Sequence, residues 1–280
     1  MGVAVQSHWF SVGSLVVWAQ AGVGAVATQA NVEVSYGPMG LEGMRAGAPA
    51  SETLQSLVRA DAQAAVRQVA MVDSRGQAAA HTGGDCMDFA GHVVGEHHSC
   101  QANLMDSGAV WPAMSEAFTE SAGGLTERLL AALDAGEAAG GDVRGRQSAA
   151  ILVVPSDGSP WETIADLRVE DHPEPLIELR RLAGLHDAYV LAGEGDRLAG
   201  EGDHAAAAAM YVSAFERAPG CVELEFWAGL ALVQIGDGDR GVAHLRSAIA
   251  AHPGWRALLE RLGPDAAPAA GAARRLLGLS

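Results

Sequence analysis

The sequence contains no lysine, and its charge is strongly of one sign. All 18 basic residues are arginines, they stand against 34 acidic residues, and the formal net charge is −16. The absence of lysine excludes a Schiff-base mechanism and a phosphate-binding lysine. The excess of acidic residues leaves no basic cluster that could displace the counterions of a nucleic-acid backbone. We therefore expect no nucleic-acid partner.

Cysteines and long apolar runs are scarce as well. The chain has 3 cysteines, an odd number that argues against a disulfide framework, although Cys86 and Cys100 are free to pair. The apolar run at residues 12–27 contains Gln20 and precedes the first basic residue, Arg45. It therefore fits neither a secretory signal nor a membrane span. We expect a cytoplasmic protein with no membrane contact and no cofactor.

The first part of the chain alternates between strand and helix patterns. At 280 residues, with 49% hydrophobic and only 5% aromatic residues, the chain has room for two domains packed from small side chains. Alternating apolar residues predict strands at residues 2–8, 22–29, 67–72, 77–82, 99–105, 148–154 and 167–171. Apolar stripes predict helices at residues 41–45, 51–62, 110–121 and 125–138, with Ser51 as an N-cap. This order predicts an α+β domain over residues 1–174.

The second part is rich in alanine and repeats itself. Two dipeptides recur at an offset of 34 residues: Gly202-Asp203 as Gly236-Asp237, and Pro219-Gly220 as Pro253-Gly254. A helix-turn-helix period of 34 residues is typical of tetratricopeptide repeats. The pattern predicts a small all-α domain of helical repeats at residues 175–264, followed by a flexible Ala/Pro-rich tail at residues 265–280.

Polar residues interrupt the apolar segments of the first domain, mostly where predicted strands end. The clusters comprise Gln6, Ser7 and His8; Thr28 and Gln29; His81; and the Gly-rich loop with Asp142, Arg144, Gln147 and Ser148. Donors and acceptors at strand ends converge readily into a binding site. Ordinary capping of strand ends is the alternative for each cluster.

Seven stretches, in order, resemble the bacterial family catalogued as domain of unknown function 1028. They are GVAVQSHWFSVG, GVGAVATQ, SYGPMGLEGMRAG, RQVAMVDSRGQAAAHTG, SCQANLM, GGDVRGRQSAAILVVP and DLRVEDHP, within residues 2–185. The resemblance implies the four-layer αββα sandwich of the N-terminal-nucleophile (Ntn) hydrolases, which cleave amide bonds. It also implies a C-terminal domain of the kind described as peptidoglycan-binding in some members.

The same resemblance implies that one strand is missing from this chain. Ntn hydrolases attack with the Thr, Ser or Cys at the start of the mature protein, and its own α-amine is the general base. In relatives, residues resembling 2–8 form the second strand, after a first strand that carries the nucleophile. We expect either a start assigned too late or a truncated, inactive protein. The late start is favoured, because leaving a central strand unpaired costs several kcal/mol of a typical stability of about 5–15 kcal/mol.

The resemblance also suggests roles for the polar clusters. Gln6, Ser7 and His8 are expected beside the nucleophile strand, while Thr28 and Gln29 orient the substrate. We expect His81 to tune a proton and Gln101 and Asn103 to donate to an oxyanion. The polar ends of a substrate are expected at Asp142, Arg144, Gln147 and Ser148. Arg144 suits a carboxylate because its guanidinium pairs in a bidentate manner; a loop ion pair with Asp142 is the alternative.

Other chemistries remain as alternatives. Cys86, His92, His97, His98 and Cys100 are zinc-ligand types, but their spacing matches no common zinc motif, so we expect an ordinary His-rich loop and no metal. Ser7 and His8 cannot form a serine-hydrolase pair directly, since neighbouring strand residues point to opposite faces.

The expected partners follow from these two domains. We expect a small-molecule or peptide amide as the substrate of the first domain. An inactive scaffold, whose repeats bind a protein or peptidoglycan partner, is the alternative function. Homo-oligomerisation is compatible with either.

Overall fold

The computed structural model describes residues 1–279 and divides the chain into two compact units. The first unit is Met1–Arg181 and the second begins at Leu182. The sequence places the boundary somewhat earlier, after residue 174. The mixed α+β composition predicted for the chain is confirmed, with several antiparallel sheets and ten helices within residues 1–279.

The strands of the first unit form three antiparallel sheets. The nine strands are β1 (Gly2–Ser7), β2 (Val17–Gln20), β3 (Gly24–Ala30), β4 (Arg67–Asp73), β5 (Ala78–Thr82), β6 (Gly91–Gly95), β7 (His98–Ala102), β8 (Ser148–Val153) and β9 (Ala165–Val169). Sheet A has the order β1-β8-β9, sheet B the order β2-β3-β4-β5, and sheet C consists of β6-β7. In sheet A, Gly2 lies opposite Val153 and Ser7 opposite Ser148. Within the described residues, β1 is therefore an edge strand.

Four helices of the first unit cover the outer faces of these sheets, and a fifth begins within this unit. They are α1 (Tyr36–Arg45), α2 (Ala50–Ala60), α3 (Val110–Glu120), α4 (Leu125–Ala138) and the start of α5 (Pro175–Gly200). The first two helices pack on sheet B, where Leu41, Met44 and Leu54 join Val26 and Met71 in one buried cluster. Helix α4 packs on β1, and α3 packs on sheet C.

A second buried cluster joins sheet A to the other face of sheet B. Alternation along β1 turns Val3 and Val5 towards Val17, Ala25 and Ala27. The intervening residues of β1 face α4: a Cβ on Gly2 would lie about 3 Å from Leu125 and Leu129 side chains. The strand is therefore covered on both faces, and its free side is its edge.

In the first unit, the structure differs from the sequence prediction in two strands, in one helix cap and in the start of α1, which begins at Tyr36 where the sequence predicts residue 41. Strands β2 and β6 were not predicted, because each is short and follows a stretch rich in turn residues. Helix α2 begins at Ala50, after Pro49, so Ser51 lies inside the helix and is not its N-cap. The carboxylate of Asp73 accepts the Ala50 N–H at 3.1 Å instead. A side chain from β4 thus performs the capping that the sequence attributes to Ser51.

The second unit is helical throughout its described length. Its helices are the later part of α5, then α6 (His204–Arg217), α7 (Val222–Gln234), α8 (Gly238–Ala251), α9 (Gly254–Arg261) and α10 (Ala270–Leu277). Helices α7 and α8 pack so closely at Gly229 that a Cβ atom on this residue would lie 2.9 Å from the Gly241 carbonyl oxygen. Helix α10, whose Ala270 and Ala273 are buried, lies where the sequence predicts a flexible tail. No helix within residues 1–279 has the length and apolarity to cross a bilayer.

Candidate functional site

The candidate site is a cavity of about 900 Å³ inside the first unit. Met1 and all residues of β1 line it, as do residues His98 through Met105 on and after β7. Within the described residues, β1 pairs only with β8, and β7 pairs only with β6. Each of the two strands therefore has one edge without a partner strand beside the cavity.

The hydrogen-bond pattern of β1 leads to the same conclusion. Met1 and Val154 exchange both of their backbone hydrogen bonds, at 2.7 and 2.8 Å. In an antiparallel ladder such pairs alternate, so Val3 and Val5 also direct their N–H and C=O groups to β8. The N–H and C=O groups of Gly2, Ala4 and Gln6 then project from the other edge, where the cavity lies.

The two strand edges converge on Asp142. The N–H of His8, just after β1, donates to Asp142 Oδ2 at 3.4 Å, and Met105, just after β7, forms an antiparallel bridge with Asp142. Since both strands end at this residue, β1 and β7 run in the same direction on either side of the cavity. All strand pairings within residues 1–279 are antiparallel. A strand between β1 and β7 would be antiparallel to both.

Asp142 carries a bidentate ion pair at this end of the cavity. Arg144 Nε donates to Oδ1 at 3.0 Å and its NH2 donates to Oδ2 at 2.7 Å, while the Arg144 backbone N–H donates to Oδ1 at 2.9 Å. Burial opposes ionisation of Asp142, but the hydrogen bonds from Arg144 outweigh it and hold the pKa of this carboxyl below its usual value. The loop ion pair considered as an alternative is therefore present. Its guanidinium keeps further N–H groups available, since a bidentate pair uses only two of five.

Three side-chain amides meet beside the cavity. Gln68 on β4 is fully buried, and its Oε1 accepts from Gln29 Nε2 at 2.7 Å and from Asn103 Nδ2 at 3.2 Å. Gln29 and Asn103 both line the cavity. The same Gln68 donates to Thr82 Oγ1 at 2.9 Å, and Thr82 bonds His92 Nδ1 at 2.8 Å. Burial, and next the nearby His81, lower the pKa of His92.

Each of the two lining amides precedes a residue in the left-handed region. Ala30 follows Gln29 with φ of +66°, and Leu104 follows Asn103 with φ of +60°. A residue with a Cβ costs about 1–2 kcal/mol in this conformation. Such strain is concentrated at binding sites, where the surrounding structure enforces it. Both strained residues line the cavity.

The structure brings seven of the twelve predicted site residues to the cavity. They are Gln6, Ser7, Gln29, Gln101, Asn103, Asp142 and Arg144. Gln101 accepts a hydrogen bond from the Ser99 hydroxyl at 2.8 Å. The Nε2 atom of Gln6 is buried without a hydrogen-bond partner in residues 1–279.

The other five predicted site residues lie outside the cavity lining, and each contacts nearby backbone or loop atoms. Thr28 donates to the Glu33 carbonyl, and His81 Nε2 bonds the Ala64 carbonyl at 2.9 Å. Ser148 donates to the Trp9 carbonyl and accepts the Val12 N–H. The remaining pair comprises His8, bonded to the Arg146 carbonyl, and Gln147, bonded to Asp171.

Two residues of the site, Gln68 and Glu137, are absent from the sequence prediction, and Cys86 is considered there only as a disulfide partner or metal ligand. Gln68 lies in a predicted strand. Cys86 lines the cavity and donates to the Arg67 carbonyl, and burial raises the pKa of its thiol. Glu137 lines the cavity with Oε2 buried and unpartnered, while its Oε1 pairs with Arg146 Nε at 2.7 Å. The signal for Gln68 in the sequence is a polar residue next to Arg67 at the start of a predicted strand.

The cysteines and histidines considered as metal ligands are separated in the structure. His97 bonds the Gly76 carbonyl, and His98 bonds Ser115 Oγ at 2.8 Å. Cys100 is buried, which raises the pKa of its thiol to about 12. Among the described residues, no group of three or more His, Cys, Asp or Glu side chains could hold a metal ion.

Comparison with known proteins identified a matching family model and similar solved structures. The model of a family of unknown function (DUF1028) matches residues 1–179. The crystal structure of protein SPO2555 from Silicibacter pomeroyi, described with the same family, is 33% identical with a TM-score of 0.60. That similarity covers 65% of this chain and 78% of the other. No curated protein matches.

Proposed function

This chain belongs to the DUF1028 family of unknown function, and from that premise we propose that its first unit is the scaffold of an Ntn-type amide hydrolase. The nucleophile is carried by an extended segment that pairs between β1 and β7. The substrate is a small-molecule or peptide amide. The observation that carries the proposal is the cavity bounded by two strand edges that run in the same direction.

The dimensions and direction of the cavity support a single inserted strand. Strand β1 has 6 residues, or about 20 Å at 3.3 Å per residue. An inserted strand antiparallel to β1 and β7 begins at the end of the cavity marked by Asp142. Its first residue, the position at which Ntn hydrolases carry their nucleophile, then lies near Ser7, Asn103 and Arg144.

The succession of helices and sheets also fits this class of enzyme. Helices α1 and α2 cover sheet B, sheet A packs on its other face, and α4 covers sheet A. A strand between β1 and β7 would join sheets A and C into one sheet. The result would have the αββα layering that the family resemblance implies.

The residues at the Asp142 end can each perform a step of amide hydrolysis. The hydroxyl or thiol of the inserted first residue attacks the carbonyl carbon, and its α-amine takes the proton, because this amine titrates near pH 8. An amide N–H of Gln101, whose Oε1 accepts from Ser99, can donate to the oxyanion, and Arg144 can bind a substrate carboxylate. The amine leaves with the proton, and water then hydrolyses the acyl-enzyme.

The test uses the chain extended by the residues encoded in frame before Met1, processed to expose Thr, Ser or Cys. A β-lactone, which acylates activated nucleophiles, should add once to that first residue, as seen by intact mass. Replacement of the residue by Ala should abolish both labelling and hydrolysis of a panel of amino-acid p-nitroanilides. Absence of labelling and of hydrolysis in the extended chain would overturn the proposal.

A binding role for the second unit is the alternative function, and a repeated helix geometry favours it. Helices α5 and α7 end 34 residues apart, at Gly200 and Gln234. Helices α6 and α8 have 14 residues each and begin 34 residues apart. This period is typical of tetratricopeptide-like repeats, which bind partners along their surface. Co-sedimentation of the full chain with purified peptidoglycan, together with an absence of amide hydrolysis, would favour this function.

A further inference from the structure

Gln68 links sheet B to sheet C through a fully buried amide. The two N–H groups of its Nε2 are shared among three acceptors: the Ala102 carbonyl at 2.9 Å, the Gly91 carbonyl at 3.1 Å and Thr82 Oγ1 at 2.9 Å. Two of these acceptors are backbone carbonyls, on β7 and β6. Carbonyl oxygens cannot donate, so the orientation of the Gln68 amide is fixed, with nitrogen towards sheet C.

This orientation fixes two further amides. With its nitrogen committed, Gln68 presents Oε1 to the side chains of Gln29 and Asn103. An oxygen there can only accept, so both neighbours must turn their NH₂ groups to it. The two backbone carbonyls thus set the orientation of three amides in sequence.

The side-chain carbonyl oxygens of Gln29 and Asn103 are the groups of this network that can still accept hydrogen bonds. Neither Gln29 Oε1 nor Asn103 Oδ1 has a hydrogen-bond partner within residues 1–279, and neither is among the fully buried unpartnered atoms. Both residues line the cavity. We propose that Gln68 is the positioning residue of this wall, and that it makes Gln29 and Asn103 acceptors for the N–H groups of the molecule bound there.

The inferred ligand chemistry is an N–H donor, such as a backbone or substrate amide. A carboxylate on this wall would meet two carbonyl oxygens, whereas Arg144 at the Asp142 end offers N–H groups to an anion. Naming the occupant rests on the proposed function. The orientation of the Gln68, Gln29 and Asn103 amides does not rest on the proposed function, and it can be measured in a protein without activity.

The test introduces a carboxyl group at Asn103, which contacts the Gln68 oxygen, and separately at Gln101, which accepts from Ser99. The pKa of each new carboxyl group is measured by ¹³C NMR titration. In Asn103→Asp, an oxygen replaces the nitrogen that lies 3.2 Å from Gln68 Oε1. The charged form is then repelled while the protonated form can donate, so the pKa should exceed about 5, against about 3.9 for an ordinary Asp. His92, which reaches this network through Thr82, is the titratable group to follow in the same spectra.

Gln101→Glu is the matched control. Its Oε1 already accepts from the Ser99 hydroxyl, so a carboxylate keeps that bond and its pKa should stay at or below about 4.3. A pKa at or below the ordinary value in Asn103→Asp would overturn the inference, because it would place donors opposite this side chain.

A measurement on the unsubstituted protein covers the case in which Asn103→Asp does not fold. The side-chain NH₂ of Gln68 should exchange with solvent at least 100-fold more slowly than that of the exposed Gln55. Exchange at similar rates would overturn the orientation assigned to Gln68. Loss of hydrolysis with slow Gln68 exchange would instead count against the proposed function alone.

Discussion

Arg144 and Asp142 form a bidentate ion pair in which Nε lies 3.0 Å from Oδ1 and NH2 lies 2.7 Å from Oδ2. The carboxylate side chain is 3% exposed and the guanidinium 38% exposed. The same carboxylate accepts the His8 N–H, and the Asp142 backbone bridges Met105. One residue therefore joins the ends of β1 and β7 to a guanidinium that can bind an anion.

We expect Asp142→Asn to destabilise the protein by about 1.5–3 kcal/mol, the range for hydrogen bonds to charged groups. The loss should be smaller than the 3–5 kcal/mol of a fully buried pair, because Arg144 can regain water. The free energy of unfolding from urea denaturation measures it. Asp166→Asn, which breaks an exposed pair with Arg168, is the control and should cost under about 1 kcal/mol. Equal losses in the two variants would contradict the assigned role.

The local elements of the first unit could largely be predicted from sequence, whereas the contacts between elements could not. Alternating apolar residues located β4, β5 and β8, and a periodic apolar stripe located α4. The cap of α2 was assigned to Ser51, because the sequence cannot show that Asp73 reaches the Ala50 N–H. A cap from another element leaves no local pattern.

The candidate site illustrates the same limit. Gln29 stood out because it ends a predicted strand, Asp142 because it lies in a Gly-rich loop, and Asn103 only through the family resemblance. Gln68 did not, because a single polar residue within a strand is equally consistent with a solvent-facing position. Its role depends on the distance from β4 to the carbonyls of Gly91 and Ala102, which only the fold sets.

The carboxylate of Asp73 should make the first unit less stable as the pH falls into the acid range. Burial opposes its ionisation, but the N–H groups of Ala50, Gln77 and Arg75 hold its pKa below the usual value. A lowered folded pKa gives stability that is fully present above the unfolded value of about 3.9 and is lost as pH falls through the folded value. We therefore expect Asp73→Asn to destabilise at pH 7, with a difference from wild type that narrows below about pH 4. Urea denaturation at pH 7, 5, 4 and 3 measures it, and a difference independent of pH would contradict the assignment.

Proline substitution should reveal which side of β1 is unpaired. The Val5 N–H points to β8, whereas the Ala4 N–H points to the cavity. Proline is tolerated in edge strands where its missing N–H would face away from the ladder. We expect Val5→Pro to cost about 1–3 kcal/mol, because it leaves a β8 carbonyl without its donor, and Ala4→Pro considerably less. Thermal denaturation of both variants measures the order, and the reverse order would show that β1 pairs through its other edge.

If the 34-residue period reflects a structural repeat, the two equivalent helix caps of the second unit should contribute similarly to its stability. Asp203 accepts the Ala206 N–H at 3.0 Å, and Asp237 accepts the Arg240 N–H at 3.4 Å, so each caps the helix that follows it. Loss of an N-cap costs about 1 kcal/mol. We expect Asp203→Ala and Asp237→Ala each to lower the free energy of unfolding of this unit by about that amount.

Asp239→Ala serves as the control, since this residue lies in the first turn of α8 without acting as its cap. Its loss should reflect only the interaction with the helix dipole, about 0.3–1 kcal/mol. Chemical denaturation followed at the tryptophans of the second unit reports these differences. If only one of the two cap substitutions lowered the free energy of unfolding, the two helices would not be equivalent elements of a repeat. Similar losses at Asp203 and Asp237 would mean that the spacing seen in the sequence corresponds to a repeated unit of stability, which is the property a solenoid requires.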